Sequence, residues 1–96
     1  MSNDEHYYFQ LFVARAAPNS TQAIANLNAL CRAHLSGRHT IEVIDVFTYP
    51  ERALSDGIFM TPTLIKTSPK PVCRVVGTLN RIDTVLELLG LEHTNS

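Results

Sequence analysis

Residues 7 to 14 have the sequence YYFQLFVA, an apolar and aromatic run that only Gln10 interrupts. Such a run is typical of a strand buried on both faces, as in parallel sheets. Residues 40 to 47, TIEVIDVF, are rich in β-branched side chains and predict a second strand. Between them, apolar residues recur at helical spacing from Ile24 to Leu35, and Gly37 follows as a helix stop. The pattern predicts a right-handed βαβ unit with parallel strands.

The second half of the chain predicts a short helix followed by a hairpin. Residues 50–57, PERALSDG, begin with proline and end with glycine, which suits a short helix. Residues 63–66 (TLIK) and 72–76 (VCRVV) are short segments that predict strands. Because Pro69 and Pro71 in the link lack a backbone N–H, a helix there is costly, and an antiparallel hairpin is expected.

A last helix is predicted from Asn80, which we expect to cap it with Asp83 reaching back. Its inner stripe is predicted to consist of Ile82, Val85, Leu86 and Leu89. Gly90 ends the pattern. The order β-α-β-α-β-β-α, with a parallel first pair and an antiparallel second pair, predicts an α/β, thioredoxin-like fold with a mixed four-stranded sheet.

The dipeptide Thr61-Pro62 supports this fold, because thioredoxin-like domains carry a proline just before their third strand. In those proteins the preceding peptide bond is cis. Only about one X–Pro bond in twenty is cis, so a cis Thr61–Pro62 bond is a discriminating expectation.

Composition bounds the chain to one small domain. We expect a polar N-terminal tail over residues 1–6, one domain over residues 7–90 and a polar C-terminal tail over residues 91–96. The formal net charge of -1 argues against binding to nucleic acid or anionic lipid. The apolar runs are too short to span a membrane, and the polar start lacks a signal-peptide pattern. A cytoplasmic location is therefore expected.

The sequence offers no catalytic constellation. A dithiol oxidoreductase of this fold places its Cys-x-x-Cys between the first strand and the first helix, where residues 15–20 contain no cysteine. Cys31 and Cys73 stand far from that loop and are interpreted as reduced, packed thiols. The histidines His6, His34, His39 and His93 lack metal-ligand spacing, so neither metal nor cofactor is expected.

Two groups of polar residues are interpreted as structural. Asp45 ends a strand, where we expect it to accept backbone hydrogen bonds or to face water. The basic residues Lys66, Lys70, Arg74 and Arg81 are expected to form a solvated face rather than a contact surface.

Over about residues 8 to 90 the chain resembles the KaiB family of cyanobacterial clock proteins. The matching segments, in order and without insertions, are 11–14 (LFVA), 18–20 (PNS), 43–46 (VIDV), Pro50, 61–64 (TPTL), Pro69, 71–72 (PV), 75–79 (VVG-x-L) and 85–86 (VL). Each match alone is weak, and their order and intervals make the resemblance specific.

The resemblance implies a binding protein rather than an enzyme. KaiB proteins bind the N-terminal ring of the hexameric ATPase KaiC, and that complex sequesters KaiA. They also interconvert between a tetrameric ground-state fold and a monomeric thioredoxin-like fold, which differ here from about Tyr49 onward. Two packings of one sequence need differ by only a few kcal/mol. We expect the thioredoxin-like monomer, with the tetrameric ground-state fold as the alternative.

The chain also departs from the family pattern. Residues 14–20 (ARAAPNS) replace Ala-Gly-x-Thr-Pro-x-Ser, residues 77–81 (GTLNR) replace Gly-Asp-Leu-Ser-Asp, and Gly57 replaces a common lysine. The changes at Gly57, Thr78 and Arg81 indicate a divergent paralogue whose partner or fold equilibrium has changed.

Three functional hypotheses follow. The first is a KaiB-like adaptor for a KaiC-type ATPase and KaiA. The second is a KaiC-binding module like the sensor domain of the SasA kinase, and the third is a glutaredoxin- or glutathione-transferase-like enzyme. Under the first, the resemblance assigns partner binding to Tyr49, Pro50, Glu51, Arg52, Gly77, Thr78, Asn80 and Arg81.

Overall fold

The structure is a computed structural model that describes residues 5–91. Its seven elements follow the predicted order. They are β1 (Tyr7–Val13), α1 (Pro18–His34), β2 (His39–Asp45), α2 (Pro50–Ser55), β3 (Thr63–Ser68), β4 (Cys73–Val76) and α3 (Ile82–Leu89). Most of the two expected polar tails, residues 1–4 and 92–96, lies outside the described residues. No helix within residues 5–91 is long and apolar enough to cross a membrane.

The four strands form one mixed sheet in the order β2-β1-β3-β4. β1 pairs in parallel with β2, from Tyr7 opposite His39 to Val13 opposite Asp45. β1 also pairs antiparallel with β3, and β3 pairs antiparallel with β4. The predicted parallel first pair and antiparallel hairpin are therefore both confirmed.

The sheet separates two apolar layers. The larger layer joins alternate residues of β1 and β3, such as Leu11 and Leu64, to buried residues of α1 and α3, such as Leu27 and Leu86. The smaller layer, on the opposite face, contains the buried side chains Phe12, Ile44 and Ile65 with the partly buried Val46 and Ile58. Burial of β1 side chains on both faces agrees with the apolar run that predicted this strand.

The second strand ends earlier than predicted because a turn begins at its last residue. β2 stops at Asp45 rather than Phe47. The Asp45 carboxylate accepts a hydrogen bond from the Phe47 N–H at 2.8 Å, and the Asp45 carbonyl accepts one from the Tyr49 N–H at 2.9 Å. An aspartate that bonds the backbone two residues on stabilises a turn, which is the role expected for Asp45.

The predicted start of the last helix is wrong. The N-cap residue of α3 is Arg81 rather than Asn80, and no side-chain hydrogen bond caps the helix. Leu79 is buried with φ +66°, so the chain turns at that residue. Asn80 therefore lies one residue before the N-cap position. Ile82, which was predicted on the inner stripe, lies in the first turn of α3 and is exposed, whereas the other predicted stripe residues Val85, Leu86 and Leu89 are buried.

Lys66 is buried rather than solvated, which corrects the sequence interpretation. Its position on β3 places it on the same face as Leu64, under α1 and α3, and only 2% of the residue is exposed. The ammonium donates a hydrogen bond to the Leu89 carbonyl at 3.2 Å and lies 5.6 Å from the centroid of the Tyr7 ring. The charge therefore meets the negative end of the α3 dipole and the face of an aromatic ring.

One of the cis proline bonds in the structure was predicted from the sequence. The Thr61–Pro62 peptide bond is cis, as the sequence predicts. The link between β3 and β4 contains two further cis bonds, Ser68–Pro69 and Lys70–Pro71.

Replacement of Lys66 by alanine is expected to lower the free energy of unfolding by about 1–3 kcal/mol, because it removes a buried hydrogen bond to α3 and its packed alkyl stem. Urea denaturation measures the change. Lys70→Ala is the matched control, since Lys70 is exposed in the hairpin link. Equal effects of the two substitutions would contradict the role assigned to Lys66.

Candidate functional site

The connecting loops that carry the candidate residues meet at one end of the sheet. The pairs Val13–Asp45, Phe12–Thr63 and Thr63–Val76 place the ends of β1, β2 and β4 beside the start of β3. We call this end, formed by residues 14–17, 46–49, 58–62 and 77–81, the loop end. Ligands of open α/β sheets commonly bind where strands end in this way.

The first group of predicted residues, 49–52, lies at the loop end after β2. Tyr49 is the N-cap residue of α2, and Pro50 occupies the first turn, where its missing N–H costs nothing. Tyr49, Pro50 and Glu51 are exposed. Arg52 forms a bidentate ion pair with Glu42 of β2 at 2.7 and 3.1 Å, which holds the pKa of the Glu42 carboxyl below its usual range.

The second group, 77–81, lies at the loop end after β4. Gly77 has φ +117°, a backbone conformation that side chains with a Cβ rarely adopt, and its N–H donates to the Pro62 carbonyl at 2.9 Å. The Asn26 amide of α1 donates to the Thr78 carbonyl at 2.7 Å. These two bonds fix the loop, while Asn80 and Arg81 remain exposed.

The structure brings the two groups to the same end but to opposite edges of the sheet. β2 and β4 are separated by β1 and β3, which corresponds to about 14 Å between the two strands. The Thr61–Pro62 segment lies between them. The predicted residues thus do not line one pocket, and they can act together only on a partner as broad as the sheet.

An exposed apolar patch between the two groups is the feature that sequence reasoning missed. Phe59 is 92% exposed, and Met60 and Phe47 are also mostly exposed. They line a depression of roughly 180 Å³ whose complete wall is Ala14, Val46, Phe47, Ile58, Phe59, Met60 and Thr61. The available signal was the run Ile58-Phe59-Met60 between a helix-ending glycine and Thr61-Pro62.

The apolar patch is held in place by polar contacts at its margins. The Thr63 hydroxyl donates to the Met60 carbonyl at 2.6 Å, and the Arg15 guanidinium lies 5.2 Å from the centroid of the Phe47 ring. Gly57, which precedes the patch, follows the end of α2 and has φ +66°. Because Arg74 of β4 donates to the Gly57 carbonyl at 3.1 Å, the segment is tied to the far edge of the sheet.

Neither thiol is activated. Cys31 is buried on α1, and burial raises its pKa to about 11. Burial also raises the pKa of Cys73, although the positive charge of Lys66 partly opposes this shift. Reactive cysteines instead have lowered pKa values at helix starts or beside cations. Within residues 5–91, no three His, Cys, Asp or Glu side chains cluster as metal ligands, and His93 lies outside that range.

The loop end carries side chains of the types found at protein-binding surfaces. Exposed aromatic and thioether side chains surrounded by polar loops are typical of protein-binding patches. The neighbouring groups are amides, hydroxyls and guanidinium groups, which can fix the orientation of a partner.

Comparison with known proteins identifies the family. Residues 10–91 match the family model described as the KaiB domain. The chain is 39% identical over 83 residues to circadian clock protein KaiB3 of Synechocystis sp., covering 86% of this chain and 79% of the relative. It is 40% identical over 86 residues to circadian clock oscillator protein KaiB of Thermostichus vulcanus, covering 90% of this chain and 78% of the relative.

Solved structures agree on the fold. The N-terminal domain of SasA from Synechococcus elongatus superposes with a TM-score of 0.73 at 18% identity, covering all of this chain and 94% of that domain. The thioredoxin Deadhead of Drosophila melanogaster superposes with a TM-score of 0.72 at 16% identity, covering 93% of this chain and 84% of that protein. The fold is therefore thioredoxin-like, and the chain belongs to the KaiB family of circadian clock proteins.

Proposed function

We propose that the protein is a non-enzymatic clock adaptor that docks on the N-terminal ring of a KaiC-type hexameric ATPase and helps to sequester KaiA. The observation that carries the proposal is the exposed apolar patch at the loop end, in a chain of the KaiB family. An aromatic ring as exposed as Phe59 is unfavourable in water unless a partner covers it. The proposed location is cytoplasmic.

The proposed partner surface comprises the apolar patch and the two groups beside it. The patch supplies the central anchors, because buried aromatic side chains dominate the energy of most interfaces. The groups at 49–52 and 77–81 supply a polar rim, in which Arg52 and Arg81 contribute positive charge. A rim of this kind sets orientation and association rate more than affinity.

The proposal includes the conformational behaviour that the family resemblance implies. The thioredoxin-like monomer is the binding-competent form, and a tetrameric ground-state fold competes with it. The buried contacts of α3, including the hydrogen bond between Lys66 and Leu89, support the former because they require residues 82–89 to be helical.

A second candidate function is a SasA-like module that binds KaiC without sequestering KaiA. The observation in its favour is the likeness of the whole chain to the N-terminal domain of SasA. Addition of KaiA to a preformed complex with KaiC separates the two functions. An adaptor recruits KaiA into a ternary complex, whereas a SasA-like module leaves KaiA free.

Replacement of Phe59 by alanine is expected to weaken binding to a KaiC homologue at least tenfold, or about 1.4 kcal/mol, because it removes the most exposed anchor of the patch. Arg81→Ala is expected to act mainly on the association rate. Surface plasmon resonance with immobilised KaiC hexamer measures both quantities.

Tyr8→Ala is the matched control for Phe59→Ala. Tyr8 is also an exposed aromatic residue, but it lies near the start of β1, at the opposite end of the sheet. Failure of the unmodified protein to bind any KaiC homologue, or an equal loss from both substitutions, would contradict the proposed surface.

The enzyme alternative is tested by thiol reactivity. A pKa near 11 leaves Cys31 about a hundredfold less ionised at pH 8 than a thiol with the ordinary value of 9.0. Because Cys31 is also fully buried, the Cys73→Ser variant is expected to react with Ellman's reagent more than about a hundredfold more slowly when folded than when unfolded in guanidinium. Rapid labelling of folded Cys31, or turnover with glutathione and a dithiol substrate, would support an enzyme instead.

A further inference from the structure

The outer edge of β4 carries backbone groups that the sheet does not use. In the part of the chain that the structure describes, β4 is an edge strand. The Gly77 N–H points inward to the Pro62 carbonyl. Because inward and outward residues alternate along an antiparallel strand, Val75 also faces β3, whereas Arg74 and Val76 direct their N–H and C=O groups outward.

An apolar groove runs beside this edge. It has a volume of roughly 390 Å³ and lies between β4 and α3. Its walls include Val75, Val76, Leu79, Arg81, Val85 and Leu88. Val76 and Leu88 are 53% and 52% exposed. Unpaired strand groups beside an apolar wall are the two requirements for addition of a further strand.

We propose that a second copy of this chain occupies the groove, with β4 of each copy paired antiparallel about a two-fold axis. The two sheets then become one continuous sheet, and α3 of both copies lies on the same side of it. Such an interface is isologous, so that each contact occurs twice. The groove shares residues 77–81 with the proposed KaiC surface, but formation of the proposed dimer does not require KaiC.

Geometry restricts the register of the proposed pairing. Two residues that lie directly opposite each other across the seam must point to the same face of the sheet. Two registers satisfy this condition and pair three residues of β4 with three residues of the second copy. One places Arg74 opposite Arg74 of the second copy, which sets like charges directly across the seam. The other places Val75 opposite itself and Arg74 opposite Val76 of the second copy. The latter pairs outward-facing backbone groups without like charges and allows four hydrogen bonds across the seam.

The helices are complementary in charge in that register. Lys66 lies opposite Cys73 and donates a hydrogen bond to the Leu89 carbonyl, so the end of α3 lies beside the start of β4. The start of α3, at Arg81, then lies near Gly77, just after the end of β4. The two-fold axis therefore brings Arg81 beside the last turn of α3 of the second copy. That turn contains Glu87 and no basic residue, so Arg81 supplies the positive charge that the helix end lacks.

The size of the contact sets the expected affinity. Three residues of each strand and two turns of each helix meet, which is less than the roughly 1,600 Å² of a standard stable interface. We therefore expect a monomer–dimer equilibrium with a Kd in the micromolar range rather than a permanent dimer.

Sedimentation equilibrium of the full chain across micromolar concentrations tests the association. Val76→Lys is expected to raise the Kd at least tenfold, because each new lysine faces Arg74 of the second copy. Val76→Glu faces the same arginine with opposite charge and is expected to associate more tightly than Val76→Lys. Val43→Lys is the control, because Val43 is similarly exposed, at 46%, on the opposite edge strand β2.

Cysteine cross-linking tests the register. In a Cys73→Ser background, Val75→Cys is expected to form an intermolecular disulfide, because residue 75 lies on the two-fold axis in a closely spaced pair. Arg74→Cys is expected to remain unlinked. In sedimentation, the proposal is overturned by a monomer at all concentrations or by a tetramer. It is also overturned if Val76→Lys and Val76→Glu raise the Kd equally, or if Val43→Lys raises it. In cross-linking, it is overturned if a disulfide forms preferentially at position 74.

Discussion

The pairing of β1 on both of its edges is the constraint on which the rest of the structure depends. The parallel pairing with β2 requires a crossover, which α1 provides, whereas the antiparallel pairing lets β3 start at the end of the sheet where β2 stops. Leu11 and Phe12, adjacent in β1, are both fully buried on opposite faces, so this one strand anchors both apolar layers. The loop end is a consequence of the same pairing, because it fixes where each strand stops.

The elements that the sequence predicts well are those whose signal is local. The apolar run at residues 7–14, the helical spacing before Gly37 and the prolines of the hairpin link each determine their own structure. The local sequence does not predict the burial of Lys66, because that burial depends on α3, which is distant in the sequence. The sequence also does not show that Asn80 precedes the cap position, because the buried Leu79, in a left-handed conformation, turns the chain before the helix begins. Both corrections reflect tertiary packing that overrides local preference.

The candidate site is likewise only partly predictable from the sequence. The two groups at 49–52 and 77–81 came from the family resemblance, and topology places both at the loop end. The sequence does not predict the exposed patch around Phe59, because an apolar residue in a loop can be buried or exposed. Only the packing around Ile58 and Met60 determines that Phe59 is exposed. The buried or partly buried thiols with raised pKa values and the exposed aromatic side chains support the proposed binding function.

The central claim is that the second half of the chain packs on β1 as β3, β4 and α3. Nuclear Overhauser effects in solution test it most directly. The account predicts backbone contacts between Leu11 and Leu64 and between Phe12 and Thr63, together with helical chemical shifts over Ile82–Leu89. Absence of these contacts, with residues 82–89 not helical, would contradict it.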